Sequence, residues 1–324
     1  MRVIALEEHF ITPLYREKVP ANEFRNFYLA SRGRDMGHDI IAENLDLGES
    51  RIAHMDAAGV EMQVLSFGSP GPQAFPADVA IPMARDANDR MHAATKKYPA
   101  RFAAFAALPT ADPLAAAAEL ERCVGKLGFK GAMIHSHQQG EFLDAPKYRP
   151  LWQTAEKLGV PVYLHPALPH PQVVKTYFDG YEELARAPWG FAIETSCHFL
   201  RLVFSGLFDD CPKLKIILGH LGEGIPFAMH RLDTHARAAA ERRGLKKTPL
   251  QYFRDNLLVT TSGNWYEPAF VCTLLAMGID NMLFAIDWPY ESNKVGMDFL
   301  NRLSLNDADK HKLAHGNAEK LLKL

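Results

Sequence analysis

Short apolar runs recur along the chain, and each is followed by a stretch with helical spacing. They occupy residues 3–6, 62–67, 102–108, 131–134, 162–164, 214–218, 257–261 and 282–286. Their apolar residues stand at successive rather than alternate positions. That pattern predicts strands buried on both faces, as in a parallel sheet covered by helices.

The stretches between them carry helix punctuation. Asp112-Pro113 reads as an N-cap and first helical residue ahead of Leu120, Cys123, Val124 and Leu127, with Gly128 as the stop. From Tyr148 the chain has an early Pro150, then Leu151, Trp152, Ala155 and Leu158 on one face, and ends at Gly159. Residues 78–97 read as a helix stopped ahead of Pro99, and 227–243 as another, rich in Ala and Arg. Strand and helix alternating eight times predict an α/β fold, a (β/α)8 TIM barrel. Residues 9–47 break the alternation and predict a segment inserted after the first strand. Such a loop lies on the C-terminal face of a barrel and is commonly functional. With no Gly/Ser linker, low-complexity tract or internal repeat, residues 1–324 are expected to form one domain.

Composition narrows the function. Lys plus Arg number 36 and Asp plus Glu 38, a net charge of −2, which argues against a nucleic-acid partner. No apolar run approaches the ~20 residues of a membrane span, so no membrane partner is expected. The N-terminus lacks the long apolar region of a signal peptide. The four cysteines form no C-x-x-C pair, which predicts a reducing, cytoplasmic setting and excludes a Cys-rich zinc site. Any metal must be held by carboxylates and some of the 14 histidines.

Chemistry in a barrel sits where strands end. The first run ends in Glu7-Glu8-His9, the fifth in His165-Pro166, the sixth in Gly219-His220 and the eighth in Asp287-Trp288-Pro289. Residues i and i+2 of a strand face one way, so Glu7 and His9 aim together and Glu8 aims opposite. With His165 and Asp287 they make an N/O ligand set for a divalent cation, Zn²⁺ or Mn²⁺. Any of His9, His165 and His220 alone reads equally as a hydrogen-bonded packing residue. Glu8 reads as an ion-pair or supporting residue, and His135 and His137 either as pocket lining or as loop. His170, His235, His311 and His315 read as surface or structural residues, the basic run at 242–247 as a solvated helix end, and the cysteines as packing.

Segments along nearly the whole chain resemble a known family. They include Ala5-Leu6-Glu7-Glu8-His9-Phe10, Tyr163-Leu164-His165-Pro166, Gly219-His220-Leu221-Gly222-Glu223-Gly224, Thr261-Ser262-Gly263-Asn264 and Asp287-Trp288-Pro289-Tyr290-Glu291. The sequence resembles the metal-dependent decarboxylase branch of the amidohydrolase superfamily. That branch contains the γ-resorcylate, 2,3-dihydroxybenzoate and aminocarboxymuconate-semialdehyde decarboxylases. The resemblance implies Glu7, His9 and His165 as metal ligands and Asp287 as ligand and proton carrier. It implies His220 as an acid/base residue oriented by Glu223 one helical turn on, and Arg231 as the partner of a substrate carboxylate. It also implies a homodimer or homotetramer. The hydroxybenzoate members typically place an Asn after the fourth strand, where this chain has His135, so the substrate pocket departs from theirs.

The expected activity is therefore reversible, nonoxidative decarboxylation of a hydroxylated aromatic acid, a carboxy-lyase reaction of aromatic catabolism with no organic cofactor. The divalent ion would act as template and Lewis acid. Asp287 would protonate the ring carbon and His220 would hold or deprotonate the phenol, while Phe10, Phe27 and Trp288 read equally as walls of a ring pocket and as barrel packing. The same ligands would equally serve a hydrolase or hydratase of a lactone, amide or unsaturated acid. A barrel that has lost catalysis and serves as a binding or scaffold protein is a third reading.

Overall fold

The computed structural model describes residues 1–19 and 39–324; Phe27 lies outside them. All eight apolar runs form strands: β1 (Ile4–Phe10), β2 (Met62–Phe67), β3 (Phe102–Ala104) with β4 (Ala106–Ala107), β5 (Ala132–His135), β6 (Val162–His165), β7 (Ile216–Leu218), β8 (Leu257–Thr260) and β9 (Met282–Leu283). They pair in parallel as two sheets, β1-β2-β3 and β4 through β9 in sequence order. β3 and β4 are halves of one run. Between them Phe105 donates its N–H to Leu65 on one side, and Ala106 donates to Gly131 on the other. At the second seam, Leu6 donates to the Phe284 carbonyl and His9 to the Trp288 carbonyl. The runs thus follow one another around an α/β barrel whose ladder is interrupted at two places.

Every strand position is buried, but on two different sides. Ile4, Leu6, Val64, Met133, Tyr163 and Ile217 belong to one apolar cluster, the barrel interior. Ala5, Leu65, Ile134, Leu164 and Leu218 belong to another, shared with the helices. Successive positions in most strands alternate between these two apolar layers, which is why the runs lack polar alternation.

The helices follow their punctuation. Asp112 caps Pro113–Leu127 by accepting from the Leu114 and Ala115 amides, and Gly128 ends it at φ +77°. Arg149–Leu158 ends at Gly159, φ +63°. Ala77–Lys97 and Ile225–Arg242 complete the expected set. The inserted segment needs correcting at its described ends. Pro13–Lys18 and Ile40–Leu45 are helices, capped by the Thr12 and Asp39 side chains. Six-residue helices owe their ends to capping rather than to apolar periodicity, so a search for periodic faces passes over them. All four cysteines are free. Among the described residues no helix is long and apolar enough to cross a membrane.

Candidate metal centre

A β-bulge decides which side chains of β1 enter the barrel. Ala5 lies opposite Gln63 but Glu8 opposite Leu65, three steps against two. The extra residue reverses the alternation: Ile4 and Leu6 point inward, and past the bulge it is Glu7 and His9 that do so. A one-residue slip exchanges the faces of everything beyond it. Tyr163 and His165 of β6, Ser66 of β2, His135 of β5 and Asp287 after β9 follow the ordinary alternation to the same mouth.

Glu7, His9, His165 and Asp287 each bring one ligating atom into a group whose members all lie within 4.8 Å of one another. His165 Nε2 is 3.1 Å from Glu7 Oε1, and His9 Nε2 is 3.3 Å from Asp287 Oδ1. Glu7 Oε1, His9 Nε2 and Asp287 Oδ1 are buried and have no hydrogen-bond donor. The tautomers sharpen the point. His135 Nε2 donates to the Phe67 carbonyl at 2.6 Å, and burial above all holds its pKa well below the ordinary value. Neutral His135 therefore offers Nδ1 as an acceptor to His165 Nδ1 at 3.0 Å. The His165 proton then sits on Nδ1, shared with the Pro166 carbonyl at 2.7 Å, and Nε2 keeps its lone pair toward Glu7. Acceptors turned toward each other in a dry site fit a cation. Two oxygens and two imidazole nitrogens suit Mn²⁺ or Zn²⁺.

Without a cation, protons must balance the carboxylates. Burial alone would lower His9, but Asp287 and Glu7 push it up to about 9. Burial opposes ionisation of Glu7 too, yet the surrounding histidines, His220 first, hold it well below its usual range.

The neighbours hold these side chains in place. Ser66 Oγ meets His9 Nδ1 at 3.0 Å. The Tyr163 hydroxyl hydrogen-bonds Glu7 Oε2 and lies 2.7 Å from Thr260 Oγ1. Gly219 makes room: a Cβ there would lie 2.8 Å from Glu7 Oε2 and 3.0 Å from Ser262 Oγ and the Tyr163 hydroxyl. Such contacts orient metal ligands. None of these residues was assigned a role from the sequence, although Tyr163 stands two before His165 on the same strand face.

His220 and Glu223 adjoin the group. His220 Nδ1 is 2.6 Å from Glu223 Oε1, and Nε2 lies 3.9 Å from Asp287 Oδ2 and 3.8 Å from Glu7 Oε1. Burial disfavours a charged His220, but Glu223 and Glu7 carry its pKa well above the ordinary value. Glu223 does not follow on a helical turn. His220, Leu221 and Glu223 have φ of +52°, +60° and +52°, and the helix starts only at Ile225. His220, Glu223, Asp287, Trp189, Ile193 and Asn264 line a cavity of about 420 Å³. A larger one, about 740 Å³, meets only His135 of the expected site residues, with His137, His170 and Lys175.

Other expected residues lie elsewhere. Phe10 and Trp288 each follow an inward-facing residue and so turn toward the helices. Phe10 packs edge-on against Phe67, and Trp288 against His54, so neither walls a ring site. Arg231 is exposed on Ile225–Arg242. Glu8 faces outward, accepting from the Ile286 and Trp288 amides and from Gln63. Burial pushes Glu8 up to about 8, while the Ile286 amide and Arg51 pull it down. Every hydrogen-bond partner of its oxygens is an N–H donor, which leaves no acceptor for a carboxyl proton and favours the carboxylate. Glu194 is buried near Glu223; burial pushes it up to about 8, against the Ser136 and Thr195 hydroxyls.

The sequence profile of the amidohydrolase family matches residues 9–324. A γ-resorcylate decarboxylase of Rhizobium sp. is 42% identical over 331 residues, 99% of this chain and 98% of that protein. The crystal structure of a 2,6-dihydroxybenzoate decarboxylase complexed with 2,6-dihydroxybenzoate is similar at a TM-score of 0.89, with 41% identity and 100% of both chains covered. A dihydroxybenzoic acid decarboxylase of Polaromonas sp., solved with manganese and the inhibitor 2-nitroresorcinol, gives 0.88 at 38% identity, covering 100% of this chain and 97% of that one.

Proposed function

The chain belongs to the amidohydrolase family, and on that premise we propose that it is a metal-dependent, nonoxidative decarboxylase of a hydroxylated aromatic carboxylic acid. The observation that carries this reading is the convergence of Glu7 Oε1, His9 Nε2 and Asp287 Oδ1, buried and without donors, beside the His220–Glu223 pair. Glu7, His9, His165 and Asp287 would hold the divalent ion. Mn²⁺ is favoured over Zn²⁺ because the Polaromonas relative was solved with manganese. Bound there, the ion supplies Lewis acidity and a template for an oxygen-rich substrate.

The chain's own residues do the rest. Asp287, once it has taken a proton from His220 Nε2, gives it to the ring carbon that bears the carboxylate. The bond to the carboxylate then breaks, its electron pair returns to the ring, and CO₂ leaves. The sum is one proton taken up and one CO₂ released. His220, oriented at Nδ1 by Glu223, takes the phenol proton on Nε2, and the phenolate supplies electron density to the ring. At 3.9 Å from Asp287 Oδ2, the same Nε2 is positioned to return a proton to that carboxyl. Trp189 and Ile193 give the cavity an apolar wall for a ring. No organic cofactor enters this scheme.

Residues 1–324 form one barrel domain in this reading, since a single apolar cluster runs from Val3 to Ala314. The four free thiols accord with the cytoplasm as its compartment. A homodimer or homotetramer is supported by the exposure of Phe227 (87%) and Leu275 (82%) on neighbouring helices. Leu275 belongs to Glu267–Met277, a helix rich in apolar residues on every side, and such helices are normally covered.

The test is to load metal-stripped protein with Mn²⁺ and offer 2,6-dihydroxybenzoate, other ortho-hydroxybenzoates and simple lactones. CO₂ formed in step with the phenol is the expected result. Ring-opened acid without CO₂ would replace this reading with the hydrolase.

A further inference from the structure

Glu8 stands between two candidate ligands in sequence but faces the opposite way. Its Oε1 accepts from the Ile286 amide at 2.9 Å, and its Oε2 from the Trp288 amide at 3.3 Å and Gln63 Nε2 at 3.3 Å. Ile286 and Trp288 flank Asp287. Asp287 has φ +78°, a region a non-glycine residue occupies only where its surroundings hold it. This is also the seam where β1 meets the last strand. The regular ladder is interrupted there, with backbone bonds from Leu6 to Phe284 and from His9 to Trp288. The amides on both sides of Asp287 go to a side-chain carboxylate instead.

Behind Glu8 the network continues. Arg51 donates from Nε to Gln63 Oε1 at 2.7 Å and from Nη1 to the His9 carbonyl at 2.8 Å. Glu8, Gln63 and Arg51 are all buried. Two candidate ligands, His9 and Asp287, are thus held by their main chains through one polar network outside the barrel.

We propose that Glu8 is a positioning residue: by gripping the amides on either side of Asp287, and by its link through Gln63 to the Arg51 that holds the His9 carbonyl, it fixes His9 and Asp287 relative to each other across the seam. This rests on reading Glu7, His9, His165 and Asp287 as the cation site. What distinguishes Glu8 is that all its partners are donors, which only a carboxylate satisfies together. A Gln keeps the volume but replaces one acceptor with an N–H₂ that faces a donor.

The experiment compares wild type with Glu8→Gln. Mn²⁺ alone is titrated into metal-stripped protein by calorimetry, the bound ion's EPR spectrum is recorded, and kcat and KM are measured on the hydroxybenzoate that wild type turns over best. Glu8→Gln is expected to bind Mn²⁺ about 10–100-fold more weakly, with an altered EPR spectrum and a fall in kcat larger than any rise in KM. A folded Glu8→Gln with wild-type Mn²⁺ affinity and kcat, and only a lower melting temperature, overturns the proposal and leaves a purely structural hydrogen-bond network. If that variant does not fold, Gln63→Met decides, since it cuts the link between Arg51 and Glu8. Weaker Mn²⁺ binding there supports the proposal, and unchanged binding overturns it. Wild type that binds no Mn²⁺ overturns the cation site itself, a result distinct from failure of the variant alone.

Discussion

Asp287 combines a left-handed backbone, a buried oxygen without a donor and an edge on the 420 Å³ cavity. Those traits belong to a residue kept for chemistry rather than for packing. Asp287→Asn is expected to lower kcat by about 10²–10⁴-fold, as loss of a general acid does, while circular dichroism stays that of wild type. Glu194 allows a test of electrostatics away from the ligands. Its folded value of about 8 stands above the ordinary 4.5, so between those values the folded chain holds a proton that the unfolded chain releases. Its contribution is complete below the unfolded value and is lost as pH rises through the folded one. Glu194→Gln should therefore gain thermal stability relative to wild type as pH climbs from about 5 to 9, as melting curves will show. At this scale the sequence disclosed ligand types but not their support. Tyr163, Ser66 and Ser262 are ordinary residues whose role exists only through neighbours brought from other strands.

Two irregularities in the elements build the site. The bulge in β1 turns Glu7 and His9 inward; an unbroken strand would have sent Glu8 and Phe10 there instead. The turn after β7 strings together left-handed residues, and its first position, Gly219, leaves space for the Glu7 carboxylate. Gly219→Ala places a methyl 2.8 Å from Glu7 Oε2. It is expected to fold, yet to bind Mn²⁺ about 10–100-fold more weakly in a calorimetric titration. Helices with strong local signals were readable in advance. Asp112, Gly128 and Gly159 mark ends by their own conformational preferences. The bulge left no such mark, because a register shift is a relation between two strands.

Across the whole molecule, eight segments far apart in sequence deliver their C-terminal ends to one mouth, and apolar helices remain on the outside. If a second copy covers the face carrying Phe227 and Leu275, the double variant Phe227→Glu, Leu275→Glu should drop to the mass of a single chain in light scattering. Wild type that is already monomeric would end that expectation. The alternation of apolar runs and capped helices, set by local propensity and by burial on both strand faces, was enough by itself to determine the barrel. So was the supply of His and carboxylate at the strand ends. Only the tertiary structure decided which of those side chains meet. Convergence on one point depends on strand register, on the bulge, and on the space and hydrogen bonds lent by other strands, none of which a single segment encodes.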